Sequence, residues 1–265
     1  MKQTTAWIAA GTMTALTVTG GGFAQSEPPA DGRGRAEGRV AEDVGLAPRE
    51  SGFRFQLAGA GAYQFESDLD EGGNYDVVRG QLRLGARMDL SSDNRIALNF
   101  QYNYDNYSFG GSGGFGDLDP WDDVHTVSIG LLYEQDLGSD FAVYGGPLLS
   151  WSGETGSEFG DGIGGGGLIG FRYRLSADLT IGAGLGVFFP PEDSEEFFPA
   201  IDIRWAITDD LVLSSRTTVV GTGGPGGLEL QYNYGNGWVA SVGFSILNRR
   251  FALDDDGVAP NGYGE

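Results

Sequence analysis

The sequence predicts an all-β fold, an antiparallel transmembrane β-barrel of about 12 strands, and three observations predict it. Apolar residues alternate with polar or tiny ones in stretch after stretch from Phe53 onward. The connections between stretches alternate between tight turns and longer, acidic, glycine-rich loops. Aromatic residues gather at both ends of the stretches. Alternation makes strands with one greasy face, and no long amphipathic helix is available to cover that face.

Bulk composition narrows the choices. The chain has 265 residues with 47 glycines, yet 16 Phe, 11 Tyr and 5 Trp, which is too aromatic for a disordered chain. It lacks cysteine, which removes disulfide frameworks and thiolate metal sites. The net charge is −21 and Lys2 is the only lysine. So acidic a chain offers no basic face for phosphates, and nucleic acid is not an expected partner.

Residues 1–24 read as an export signal: Lys2, a mildly apolar run from Ala6 to Val18, and the small-x-small site Gly22-Phe23-Ala24. The run is too short to be a transmembrane helix. Residues 25–50 are rich in Pro, Gly, Arg and Glu and read as a flexible linker, with room for one helical turn near Ala36 to Val44. The barrel domain is expected over 51–265.

Eleven strands follow in order. The first sets Phe53, Phe55, Leu57, Tyr63 and Phe65 against Arg54, Gln56 and Gln64. The second sets Val78, Leu82, Leu84 and Met88 against Arg79, Gln81, Arg83, Arg87 and Asp89. In the third, Ile96, Leu98, Phe100, Tyr102 and Tyr104 oppose Arg95, Asn99, Gln101, Asn103 and Asp105. Val127, Ile129, Leu131 and Tyr133 mark the fourth, and Phe141, Val143, Leu149 and Trp151 the fifth. The clearest alternation is the hairpin Leu168 to Phe189, where Ile169, Phe171, Tyr173, Ile181, Leu185 and Val187 oppose Arg172, Arg174, Thr180, Gly182, Gly184 and Gly186. The eighth strand carries Ile201, Ile203 and Trp205 against Asp202 and Arg204, and the ninth runs from Leu211 to about Gly221 with Arg216 on its polar side. Leu228, Leu230, Tyr232 and Tyr234 oppose Glu229, Gln231 and Asn233 in the tenth. The eleventh starts at Trp238, and its parity slips near Asn248 to Arg250.

Turns at Ser91–Asn94, Gly138-Ser139, Ser176–Asp178, Thr208–Asp210 and Gly235–Gly237 alternate with loops at Glu66–Asp76, Ser108–Asp123, Ser152–Gly165 and Pro190–Phe197; only Thr222–Gly227 breaks the rule by being short. Tight turns at one end and long loops at the other suit an outer-membrane barrel. A soluble sandwich has no reason to keep that asymmetry. Tyr133, Trp205, Tyr234 and Trp238 sit beside the turns, and Phe65, Trp151 and Phe189 beside the loops, as two aromatic girdles would. With the greasy face toward lipid, Arg54, Arg79, Arg83, Arg87, Arg95, Arg172, Arg174, Arg204 and Arg216 share the opposite, lumen-lining face. The acidic residues concentrate in the long loops.

From about Leu98 onward, the stretches LNFQYNY, DPWDDVHTVSIGL, VYGGPLL, LTIGAGLGVFF, FPAIDIRWAITDDLVL and FALDDDGVAPNGYGE resemble an uncharacterised family of bacterial outer-membrane β-barrel proteins, a domain of unknown function. The resemblance implies Gram-negative outer-membrane location and fold, with no activity and no functional residues attached.

Bacterial single-chain barrels use even strand numbers. An eleventh strand that starts on the short-turn side leaves Asp254 to Glu265 as an outer loop, so at least one closing strand is expected beyond this sequence. The competing reading makes Phe251 to Asp255 a stubby twelfth strand.

Chemistry is sparse. His125 is the only histidine, hence the sole candidate base for a lipase-type serine–histidine pair, but its parity points it outward beside Val127 and Ile129. Asp68–Gly73 and Asp254–Gly257 lack the spacing of a twelve-residue calcium loop, so weak divalent binding at the outer carboxylates is the most they offer. Gly182-Ala183-Gly184-Leu185-Gly186 sits mid-strand without a following helix and makes space rather than a dinucleotide site. No cofactor or metal site is expected. The leading expectation is a porin-like, narrow small-solute channel whose arginines set selectivity. Its rival is a non-conducting structural or surface-interaction barrel using its acidic loops. A hydrolase comes third.

Overall fold

A computed structural model describes residues 52–69, 72–191, 195–216, 226–235, 238–246, 250–259 and 262–264. The expected export signal (1–24) and linker (25–50) lie outside them.

Eleven strands run as an unbroken antiparallel meander: β1 Phe53–Asp68, β2 Asn74–Asp89, β3 Asn94–Gly110, β4 Asp123–Asp136, β5 Phe141–Glu154, β6 Ile163–Arg174, β7 Leu179–Phe189, β8 Glu196–Ala206, β9 Leu211–Arg216, β10 Gly226–Gly235 and β11 Trp238–Ile246. A short helix, α1 (Phe115–Leu118), interrupts the connection between β3 and β4. Two short strands, β12 Phe251–Ala252 and β13 Tyr263–Gly264, pair with each other off the meander. Each strand pairs with its sequence neighbour, as tight turns enforce. The β1 and β11 edges are not paired with each other, so the sheet is open.

Register carries the alternation faithfully from strand to strand. Asn74↔Gly110 runs without a break to Asp89↔Arg95, pairing Leu84 with Phe100 on one face and Gln81 with Asn103 on the other. The apolar face looks outward: Ile169 is 70% exposed and Val242 71%. The opposite face is closed off, with Asp105 and Ser128 each 1% exposed. The only helix among the described residues is one turn long, and the face is buried by the curve of the sheet itself, which brings Glu134 of β4 against Arg172 of β6 across β5. This inverts the usual soluble arrangement, in which the apolar side is hidden.

Strands β1, β2 and β3 have 16, 16 and 17 residues, longer than the alternation suggested. Residues assigned to the loop Glu66–Asp76 continue the ladder instead, Tyr75 pairing with Ser67 and Phe109. Aromatic and β-branched side chains such as Tyr75 and Val77 favour the extended state, despite the acidic and glycine residues around them. The loop Thr222–Gly227 lies largely outside the described residues, as do Asp70, Glu71, Glu192 and Asp193.

The stretch after β11 is tied down on both sides of an exposed turn. Asp256 to Ala259 are exposed as an outer loop would be, but Phe251, Ala252 and Leu253 before them are buried at 3%, 2% and 5% exposure, and Tyr263–Gly264 after them pairs with β12. Phe251 does form a stubby strand, but β12 pairs in parallel with β5 (Ala252↔Gly153) and joins neither sheet edge. Three consecutive apolar side chains outweigh the acidic triplet that follows, and they turn the segment inward.

Candidate functional site

The enclosed face divides into three zones. Beside the short turns, Glu134 of β4 pairs with both Arg95 of β3 and Arg172 of β6, and Arg172 also pairs with Asp202 of β8. Each of these residues lies a few positions from a turn, and alternation aims all four the same way. The Arg172 guanidinium stacks 4.6 Å from the centroid of Tyr144. Gly170 makes this possible: a Cβ there would lie 2.5 Å from Tyr144 Cζ and Oη. Buried carboxylates and guanidiniums that satisfy one another avoid most of the penalty for unpaired charge. Sequence reading singled out Arg95, Arg172 and Asp202 but missed Glu134, the residue that joins them. Its parity with Thr126 and Ser128 was the available signal.

The middle zone is amide and hydroxyl, with a small apolar patch. Gln81 and Gln101 both donate to Asn103 Oδ1, at 2.8 and 3.0 Å. Thr126 and Ser152 share a hydroxyl bond of 2.8 Å, and Arg79 lies 3.7 Å from Asp105. Tyr144 and Leu168 are buried against Leu132 and Leu148. Gly182, Gly184 and Gly186 fall within β7 on this face, and a Cβ on Gly184 would lie 2.5 Å from the Ile169 carbonyl oxygen. Gly182 and Gly184 admit the neighbouring backbone, and Gly186 admits the Phe198 ring.

Beside the long loops the face becomes aromatic. Tyr75, Tyr107 and Phe109 stack at 6.1–6.5 Å between centroids. Trp121 meets Phe109 edge-on at 5.3 Å and Phe251 at 5.5 Å, and Phe115 of α1 completes the group. Val124, Phe251 and Leu253 form its aliphatic side. Extending the polar parity of β3 past Asp105 would have placed Tyr107 and Phe109 here. Just outside, Asn106 Nδ2 donates to Asp122 Oδ1 at 3.0 Å. Partial burial, with the charges of Asp123 and Asp119 close by, raises the Asp122 carboxyl above the ordinary carboxylate range, and the Asn106 bond opposes the rise.

The other candidate residues sit as follows. Arg54, Arg87, Arg174 and Arg204 are half-buried, Arg83 is exposed, and the Arg216 side chain lies outside the described residues. Tyr133, Trp205, Tyr234 and Trp238 are exposed on the outward face beside the turns, and Phe65 and Phe189 at the loop end. Trp151 is half-buried, stacked 5.8 Å from Phe159. His125 lies on the outward face, its Nδ1 2.8 Å from the Tyr102 hydroxyl and its Nε2 3.1 Å from Thr155 Oγ1. Neither partner is a serine, and both bonds use up its ring nitrogens. Among the described residues no three or more His, Asp or Glu side chains converge as metal ligands. Asp254 Oδ1 instead accepts the Asp256 amide at 3.1 Å.

No protein-family model, curated protein or solved structure matches the chain.

Proposed function

We propose that the chain builds an outer-membrane β-barrel whose narrow polar lumen passes small solutes. The inverted burial carries this reading: a continuous apolar surface faces outward while charged and amide side chains are enclosed. Water would not tolerate that surface on a monomer, whereas lipid requires it. The outward aromatics beside turns and loops fit the two membrane interfaces. At about 3.3 Å per residue and about 40° tilt, strands of 16 residues reach about 40 Å, enough to cross an apolar band of about 25 Å and rise above it on the loop side. Closure asks for one more element of pairing: β1 and β11 run in the same direction, so they join either as a parallel pair or across another strand.

One observation favours a second reading, a barrel that does not conduct. The Arg95–Glu134–Arg172–Asp202 group fills the enclosed face near the short turns, and paired arginines attract anions less than bare ones.

Planar-bilayer recording on refolded full chain separates the two. Unitary currents with anion preference, reduced by Arg83→Gln and Arg174→Gln, are expected for the channel; silence leaves the non-conducting barrel. The membrane premise has its own test. Leu185 is 54% exposed in mid-strand on the outward face. Leu185→Arg should weaken folding into lipid by about 2–4 kcal/mol, and a change within about 0.5 kcal/mol would mark a water-exposed sheet.

A further inference from the structure

We propose that residues 250–259 with 262–264 form a plug, latched by Glu154, that shuts the loop end of the enclosed face. The proposal rests on the channel reading, and it adds where passage is stopped and how it is released.

Placement comes first. Phe251 and Leu253 pack on Val124, with Tyr107 and Trp121 against the same cluster. Val124 has the parity of Thr126, Ser128 and Glu134, and Tyr107 that of Asn103 and Asp105, so the segment lies on the enclosed side of β3 and β4. Phe251 to Leu253 is the only run of three consecutive buried residues among the described ones. Any solute entering past the long loops meets this cluster before the amides below it.

Attachment comes second, and it differs in kind from the strand ladders. Beyond Trp151↔Ile163 the β6 partner of β5 has ended, and Ala252 takes the exposed edge at Gly153. Glu154, at the end of β5, accepts the Asp254 amide at Oε2 (2.9 Å) and the Asp122 amide at Oε1 (3.0 Å). One carboxylate thus holds both the segment and the connection that carries Trp121. One further contact leaves the segment, a long bond from the Tyr263 hydroxyl to the Asp161 carbonyl at 3.5 Å, while Leu253 N–H to the Gly262 carbonyl at 3.0 Å and the Arg250 guanidinium 4.8 Å over the Tyr263 ring lie within it. The segment is therefore a unit that can leave without breaking the meander, the property required of a gate drawn from the less stable parts of a fold. Glu154 acts as a positioning residue.

The chain has no cysteine, which allows a clean probe. Ser128 is buried on the enclosed face, two steps of alternation below Val124. Ser128→Cys would be placed in the full chain, refolded into phospholipid vesicles, and labelled with a charged, membrane-impermeant maleimide, with heat-modifiable gel migration as the folding control. Adding Glu154→Gln or Phe251→Ala should speed labelling about tenfold or more. Currents from the same variants without the cysteine should rise in open probability. Should Phe251→Ala not fold, Glu154→Gln carries the test. Equal labelling rates with and without the latch variants overturn the plug. So do currents that the variants leave unchanged, and in that case the channel stands. Faster labelling with no current from any form keeps the plug as a closure and sinks the channel.

Discussion

The two ends of the enclosed face are both filled by side chains, but by opposite chemistry. Beside the short turns, charges from β3, β4, β6 and β8 meet at Glu134 and Arg172. Beside the long loops, rings from β2, β3 and α1 meet Trp121 and the returning Phe251. The first group reaches across strands that are not neighbours, so it holds the curl of the sheet. The second ties loops to strand ends, so it holds only the mouth. A curved sheet with a polar interior needs its charges where the backbone is most regular, because paired ions tolerate little displacement. Rings pack through broad, weakly directional contacts and suit irregular connections better.

That contrast is most sharply tested at Glu134. Glu134→Ala leaves Arg95 and Arg172 facing each other, enclosed and without their shared carboxylate. Stability should fall by about 3–5 kcal/mol, read as a shift in the urea midpoint of the refolded protein. A loss below about 1 kcal/mol would mean water reaches the site and screens it. At the same end, Gly170→Ala forces a methyl against the Tyr144 ring and the Ala183 carbonyl. A loss of about 1–3 kcal/mol is expected, and Tyr144→Leu on top of it should restore part of that loss. Failure of the second change to rescue would place the strain in the backbone instead.

Trp121→Ala probes the other end, and the outcome should differ in kind. Hydrogen exchange at the Leu253 amide should accelerate, while the β4–β5 ladder, including Val127↔Trp151, keeps its protection. Global stability should change by less than about 1 kcal/mol, as for a locally opening unit. If the whole sheet loosens together, the mouth and the curl are one cooperative body and the contrast fails.

Much of the sheet was legible because alternation has a single period and each residue reports its own face. Every strand from β1 to β11 falls on a stretch named from the sequence. The charged zone was half legible: parity placed Arg95, Arg172 and Asp202 together, yet it cannot say which residues on a face touch. Contact across β5 between Glu134 and Arg172 depends on curvature, which no single strand encodes. The aromatic zone was legible only on β3, where the parity of Asn103 and Asp105 runs on to Tyr107 and Phe109. Tyr75 sits among Asn, Asp and Gly, whose turn chemistry masks a strand. Phe251 precedes an acidic triplet and follows a parity slip, and its neighbour Ala252 pairs with Gly153, 99 residues earlier in the chain. Local propensity carries no information over that separation.

Asp122 gives the smallest effect and the finest test of the mouth. Its folded carboxyl titrates higher than usual, chiefly from partial burial and then from Asp123 and Asp119. A raised folded value means the stabilising contribution is complete below the unfolded value, about pH 3.9, and is lost as pH rises through the folded one. At neutral pH the charge therefore works against the loop. Asp122→Asn removes the charge and keeps an Oδ1 acceptor for Asn106 Nδ2. Because the side chain is exposed, screening holds the gain to a few tenths of a kcal/mol. The Tyr107 amide, which donates to the Asp122 carbonyl at 3.0 Å, is the local reporter. Its exchange should slow in the variant at pH 7, and the two proteins should converge below about pH 3.9. Faster exchange in the variant at pH 7 would show that the Asn106 bond to the carboxylate outweighs repulsion from its acidic neighbours, and that the loop end is held partly by charge after all.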